Sequence, residues 1–272
     1  MGNSKPPFCF VHIPKTGGVT FHNILIDQYP CEKRITFVSR PEAKHYFDLP
    51  EAQKLPYKLV KGHLWFDEKK FSPSNQTIFY TFLRKPVNRT ISHYFFLFQN
   101  KKHWFYKEIT ANQYSLKQLY DLGKVVNLDN CMVRFISGNV SKPWDSMSNS
   151  DLDLAIHNLD KYFHHFGISE YYDESLLILA KQLGWKTPYY SRLNEGSMKS
   201  KEPFDADTLE LITHFNRLDE KLYQHALNRF LPLLKDNEQL LEQQLELFRI
   251  ANKNYSSLRA RLYPYLGSIV FR

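Results

Sequence analysis

The sequence predicts an α/β domain, a P-loop-like parallel sheet flanked by helices, followed by a helical C-terminal part. Three observations predict it. Short apolar runs bounded by turn residues, Phe8–Ile13, Arg34–Val38, Tyr57–Lys61 and Gln76–Leu83, lie in the first third of the chain, where the order of strands and helices is that of βαβ units. The first run passes through Lys15, Gly17 and Gly18 directly into a helical segment. From about Lys101 onward, helical periodicity takes over.

The chain is organised around Phe8 to Tyr29, FCFVHIPKTGGVTFHNILIDQY. Phe8, Phe10, Val11 and Ile13 read as a short buried strand, and Phe21, Ile24, Leu25 and Gln28–Tyr29 share one helical face. Between them Gly17 and Gly18 let the backbone curl, so that successive amides and the positive end of the helix point at one place. Lys15 adds a full charge, and Thr16 and Thr20 add hydroxyls. The loop Lys15, Thr16, Gly17, Gly18, Val19 and Thr20 is therefore a candidate anion cradle. It is not a Walker A loop, because the lysine precedes the glycines and no earlier glycine opens it. From the residues alone, a packing turn with a solvated lysine stands beside the anion-binding reading.

The next strands end in the same chemistry. Tyr57–Lys61 stops at Gly62-His63, and Gln76–Leu83, the most hydrophobic run and hence expected to be central, stops at Arg84. Pro86 suits the first turn of the helix that follows. Ligands of parallel sheets gather beyond the carboxyl ends of strands, and Lys15, His63 and Arg84 all stand there. Further on, helices are expected over Ser115–Leu122, Asn127–Ile136 and Ser150–Lys161, with Ser150 and Asp153 as a capping box. A strand Tyr162–Ile168 and a helix Glu170–Leu183 come next. Thr187–Lys201 reads as a surface excursion or a flap, and helices Asp205–Phe215, Asp219–Leu234 and Asn237–Asn252 close the chain. One domain spans residues 1–272, with about 236–272 as a C-terminal helical extension that serves as a packing arm or a dimer contact.

Composition narrows the partners. The formal charge of +8 favours anionic ligands. The basic residues are scattered, and no helix-turn-helix, zinc-finger or RNP pattern is present, so nucleic acid is not the expected partner. Cys9, Cys31 and Cys131 form no CxxC pair and leave an odd thiol, which suits a reducing compartment. No run is long enough to span a membrane or serve as a signal peptide, and a cytoplasmic protein is expected. His and Cys show no metal-ligand spacing, so no metal is expected.

The wording of the motifs adds a family. H-I-P-K-T-G-G-V-T-F resembles the 5′-phosphosulfate loop of sulfotransferases that use 3′-phosphoadenosine 5′-phosphosulfate (PAPS), in the branch of the heparan sulfate 2-O- and 6-O-sulfotransferases. R-K-P-V-N-R-T-I-S, from Arg84 to Ser92, resembles that family's 3′-phosphate motif, departing from the commoner form at Lys85. Gly62-His63 is similar to the G-H that supplies a catalytic base. The resemblance covers about residues 8 to 230. It implies PAPS as donor, a carbohydrate hydroxyl as acceptor, Lys15 stabilising the leaving bisphosphate, His63 as general base, and Arg84 with Ser92 on the 3′-phosphate. Asn130 and Arg134 are candidate acceptor contacts, or ordinary helix-surface polars; His12 and His93 are the next candidates for the base. A nucleotide-dependent kinase and a non-catalytic nucleotide- or glycan-binding protein are the alternatives.

Overall fold

The computed structural model describes residues 7–37, 42, 45, 46, 48–54, 56–62, 64–67, 77–191 and 204–266. Strands β1 (Phe8–Val11), β2 (Arg34–Phe37), β3 (Leu59–Gly62) and β4 (Ile78–Tyr80) form a parallel sheet in the order β2-β3-β1-β4. A further strand, β5 (Phe82–Leu83), pairs in parallel with β6 (Gly167–Ile168). Only Thr81 separates β4 from β5. Its Oγ1 donates to the Val11 carbonyl (2.8 Å), and its own carbonyl accepts the Gly167 amide (2.9 Å). The apolar run therefore serves β1 with Ile78–Tyr80 and β6 with Phe82–Leu83; within the four-stranded sheet β4 is an edge strand, and β3 and β1 take the interior positions expected for this run.

Period-two alternation builds a core on each face of β1. Phe8 and Phe10 join Phe21, Ile24 and Leu25 of helix α1 (Gly18–Gln28), whereas Cys9 and Val11 face the opposite cluster. That second cluster is supplied by α5 (Cys131–Ser137), α6 (Asn149–Tyr162) and α9 (Arg217–Asp236). Helix α2 (Pro86–Gln99) leaves the end of β5. With α3 (Tyr106–Asn112), α4 (Leu116–Leu122) and α8 (Ala206–Phe215) it builds a third apolar cluster around Leu97, Leu119 and Ile212. Helix α7 (Tyr172–Leu183) follows β6 and covers the α1 side of the sheet.

Several boundaries differ from expectation for local reasons. The expected helix 127–136 divides into a single 3₁₀ turn, Val126–Leu128, and α5, because Asn130 takes a left-handed conformation (φ 42°) between them. The capping box of α6 is Ser148 with Asp151, two residues earlier than read; the Asp151 carboxylate accepts the Ser148 amide (2.8 Å). The strand expected at 162–168 is confined to Gly167–Ile168; α6 includes Tyr162, and residues 163–166 connect the two. The last helix, α10 (Glu238–Leu266), packs Leu241, Leu245 and Phe248 onto the α1 face. Arg249 pairs with Asp173 and Glu174 on α7 (3.1 and 2.8 Å), and Leu247 and Ile250 remain exposed. Of the loop 187–201, residues 192 onward lie outside the described ones.

Candidate active site

The turn after β1 is held from outside by side chains far away in sequence. Lys15 has φ 70°, a conformation costing a non-glycine residue about 1–2 kcal/mol, and Gly17 has φ 92°. Arg84 Nη1 donates to the Lys15 carbonyl (3.0 Å), Ser169 Oγ lies 2.7 Å from the Thr16 carbonyl and 2.9 Å from that of Leu83, and Tyr172 Oη reaches the Gly17 carbonyl (3.3 Å). With its carbonyls engaged in this way, the loop presents the start of α1. The first helical bond is Phe21 N to Gly17 O, so the amides of Gly18, Val19 and Thr20 lie outside the helical ladder. A helix end of this kind binds anions.

Gly18, Val19 and Thr20 line a cavity of about 680 Å³, within the range of small-molecule sites. Lys15, Gly17, Gly18, Val19, Thr20, Arg84 and Ser92 all line it, so the two motifs separated by some seventy residues share one wall. No aspartate or glutamate occurs among its described lining residues, whereas Lys15, Arg84 and Lys124 do. Burial, and then the nearby Arg84 charge, push the Lys15 ammonium down to about 8; burial likewise lowers Arg84. Two cations held close in partial burial repel each other, and an anion between them relieves that cost. The Lys15 Nζ rests 4.5 Å from the centre of the Phe96 ring, a cation–π contact on the cavity wall.

Not every expected residue enters the site. The Thr16 hydroxyl turns inward and donates to the Ile13 carbonyl (2.9 Å), so it braces the turn, and Thr16 does not line the cavity. Asn130 and Arg134 are buried structural residues that stay away from the cavity. Asn130 Oδ1 accepts the amides of Leu218 and Asp219 at the start of α9, while the Asp219 carboxylate accepts those of Met132 and Val133 at the start of α5. The two helices cap each other. Arg134 is ion-paired with Asp129 and donates to the carbonyls of Asp129, Lys142 and Pro143. His63 lies outside the described residues. Its neighbour Gly62 has φ 141° and abuts β2, where any Cβ would stand 2.2 Å from the Phe37 carbonyl oxygen, so packing alone requires that glycine.

Residues that the motifs did not mark also contribute. Ser169 and Tyr172 lock the loop from the end of β6 and from α7, and Phe96, His103 and Trp65 line the cavity together with His12 and His93, the alternative candidates for the base. His93 is fully buried, its nitrogens have no hydrogen-bond partner among the described residues, and burial holds it neutral, well below the usual imidazole range.

A model of the galactose-3-O-sulfotransferase family matches residues 2–259. The chain belongs to this family. Among relatives of this carbohydrate sulfotransferase, a heparin sulfate O-sulfotransferase of Drosophila melanogaster is 25% identical over 255 residues, a match covering 80% of this chain and 70% of that protein. A galactose-3-O-sulfotransferase 2 of Mus musculus is 27% identical over 145 residues, covering 46% of this chain and 37% of that protein. The crystal structure of a sulfotransferase from Alicyclobacillus acidocaldarius aligns with TM-score 0.46 and 13% identity, over 83% of this chain and 96% of that one. The carbohydrate sulfotransferase resemblance thus holds at the level of the family. The matching model is named for the galactose-3-O enzymes, and the 2-O-/6-O- branch is not singled out.

Proposed function

We propose that this chain transfers a sulfuryl group from PAPS to a carbohydrate hydroxyl by in-line displacement. The observation that carries this reading is the hydrogen bond from Arg84 to the Lys15 carbonyl, which joins the two motifs at a cavity whose described lining residues include no carboxylate. The donor set fits a nucleotide with anionic groups at two positions: loop amides and Lys15 for the 5′ side, Arg84 and Ser92 for the 3′-phosphate. Bound there, PAPS supplies the sulfuryl group, with adenosine 3′,5′-bisphosphate as leaving group. Lys15 and the Gly18–Thr20 amides hold the charge that grows at the leaving oxygen, an electrostatic contribution set in place before reaction. His63, which follows the end of β3, takes the proton of the acceptor hydroxyl. Trp65 and Phe96 line the same cavity, where aromatic side chains can pack against a purine or a sugar.

A kinase is the weaker reading, since a phosphoryl-transfer site wants a carboxylate for Mg²⁺ and none is among the described lining residues. Thermal denaturation separates the two. At a hundred times its dissociation constant, adenosine 3′,5′-bisphosphate should stabilise the protein by about 2.7 kcal/mol. That corresponds to roughly 5–10 °C in Tm, with AMP and ATP giving much less. Equal stabilisation by AMP would remove the 3′-phosphate assignment.

A further inference from the structure

Beyond the anion loop, the cavity has a second wall made of rings. Helix α2 and the residue that ends it bring Ser92, His93, Phe96 and Asn100 to the cavity from one helical face, and His103 and Trp104 follow in the turn before α3. Phe96 carries the Lys15 ammonium over its ring (4.5 Å) and meets both imidazoles, His93 at 5.8 Å and His103 at 6.1 Å between centroids. His103 meets His93 edge-on (6.4 Å, 83°) and lies against Trp104 (5.7 Å). The Phe105 amide donates to His103 Nδ1 (3.2 Å), which anchors that ring. The wall is therefore continuous from Lys15 to Trp104.

Each end of this wall has a feature that a ligand would satisfy. His93 is 2% exposed, and neither of its ring nitrogens has a hydrogen-bond partner among the described residues. Burial, and then the charges of Arg89, His103 and Lys15, hold it neutral, so the ring offers one donor and one acceptor. The group matched to both is a hydroxyl, which donates as well as accepts; an ionised phosphate or sulfate oxygen only accepts. Buried nitrogens left unpaired are costly, and a hydroxyl removes that cost. At the other end, Trp104 is 66% exposed at the edge of the cavity, whereas Trp65, Trp144 and Trp185 are partly or fully buried. An indole face open to water beside a cavity is a platform for the C–H face of a pyranose, which covers it without needing a charge. Phe96 and His103 stand between the Lys15 ammonium and Trp104, so a ligand that touches both ends is an extended one.

We propose that this wall is the site for an acceptor saccharide of two or more rings, with His93 hydrogen-bonding a hydroxyl of the sugar beside Lys15 and Trp104 stacking on a neighbouring ring of the same chain. The role as acceptor rests on the sulfotransferase reading; the binding of a saccharide by these residues does not.

Saccharide binding can be read without turnover. The indole N–H signals of the four tryptophans, with that of Trp104 assigned by Trp104→Phe, are followed during titration with a galactose-terminated tetrasaccharide or a heparan-type tetrasaccharide, with and without adenosine 3′,5′-bisphosphate. The Trp104 signal should move with at least one of the two; no movement with either overturns the proposal. Calorimetry with the saccharide that binds then separates the residues. Trp104→Ala should weaken it about tenfold and Trp104→Phe less than about threefold, with bisphosphate affinity within about twofold of wild type. His93→Leu removes both nitrogens at similar size, so Tm should hold or rise while saccharide affinity falls about tenfold, and His93→Gln, which again offers a donor and an acceptor, should recover part of that loss. Unchanged saccharide affinity in either Trp104→Ala or His93→Leu overturns the proposal. So does a fall in Tm of His93→Leu, which would give His93 a structural partner, or a loss of bisphosphate affinity in place of saccharide affinity, which would assign His93 to the ribose. A wild-type protein that binds the saccharide on Trp104 but transfers no ³⁵S to it from PAPS removes the sulfotransferase reading and leaves the saccharide site standing.

Discussion

Lys15→Ala should lower kcat about 10²–10³-fold, the usual loss when one charge-stabilising group at a developing anion is removed. The ammonium is held by a backbone in the left-handed region and rests over Phe96 on the cavity wall, so its position is set before any ligand arrives. Bisphosphate affinity should fall as well, because the same charge meets the bound product. The pH dependence follows from its depressed pKa. In the empty site Lys15 loses its proton around pH 8, and only the charged form attracts the anion, so affinity should decline as pH rises through 8. In Lys15→Ala that decline should become shallower. Steady-state kinetics and calorimetry between pH 6.5 and about 9 check both parts. Turnover within threefold of wild type in the mutant would take Lys15 out of the reaction.

Arg84→Ala should weaken adenosine 3′,5′-bisphosphate about 10–100-fold and AMP far less, since a charge-assisted pair of hydrogen bonds to phosphate contributes about 1.5–3 kcal/mol. The mutation also removes the donor that holds the Lys15 carbonyl, so kcat should fall in addition to affinity. Arg84→Lys should not restore the preference for the bisphosphate, because an ammonium cannot present two parallel donors while also reaching that carbonyl. Titrating both nucleotides against the same variants is decisive: an equal loss for AMP and the bisphosphate would mean that Arg84 shapes the loop without reading the 3′-phosphate.

What could be read from the sequence was local. Gly17 and Gly18 after a short apolar strand, and Arg84 with Pro86 after another, carry their conformational meaning within a few residues. The parallel sheet and the shared cavity wall could therefore be anticipated. Asn130 could not be placed in this way. Its role depends on the amides of Leu218 and Asp219, far along the chain, and a polar residue in a helical pattern looks the same whether it faces a ligand or caps a distant helix. Ser169 and Tyr172 likewise reach the loop only through the pairing of β6 with β5. The left-handed Lys15 has no signature at all, since lysine carries no preference for that conformation.

Group transfer itself tests the central claim most directly. Incubating the enzyme with ³⁵S-labelled PAPS, or in parallel with γ-³²P-labelled ATP, and a panel of galactose-bearing and heparan-type oligosaccharides should label the carbohydrate with ³⁵S alone. Arg84→Ala and Lys15→Ala should abolish most of that label. Transfer of ³²P from ATP, or wild-type enzyme that binds the bisphosphate but labels no saccharide while retaining its fold, would contradict the account.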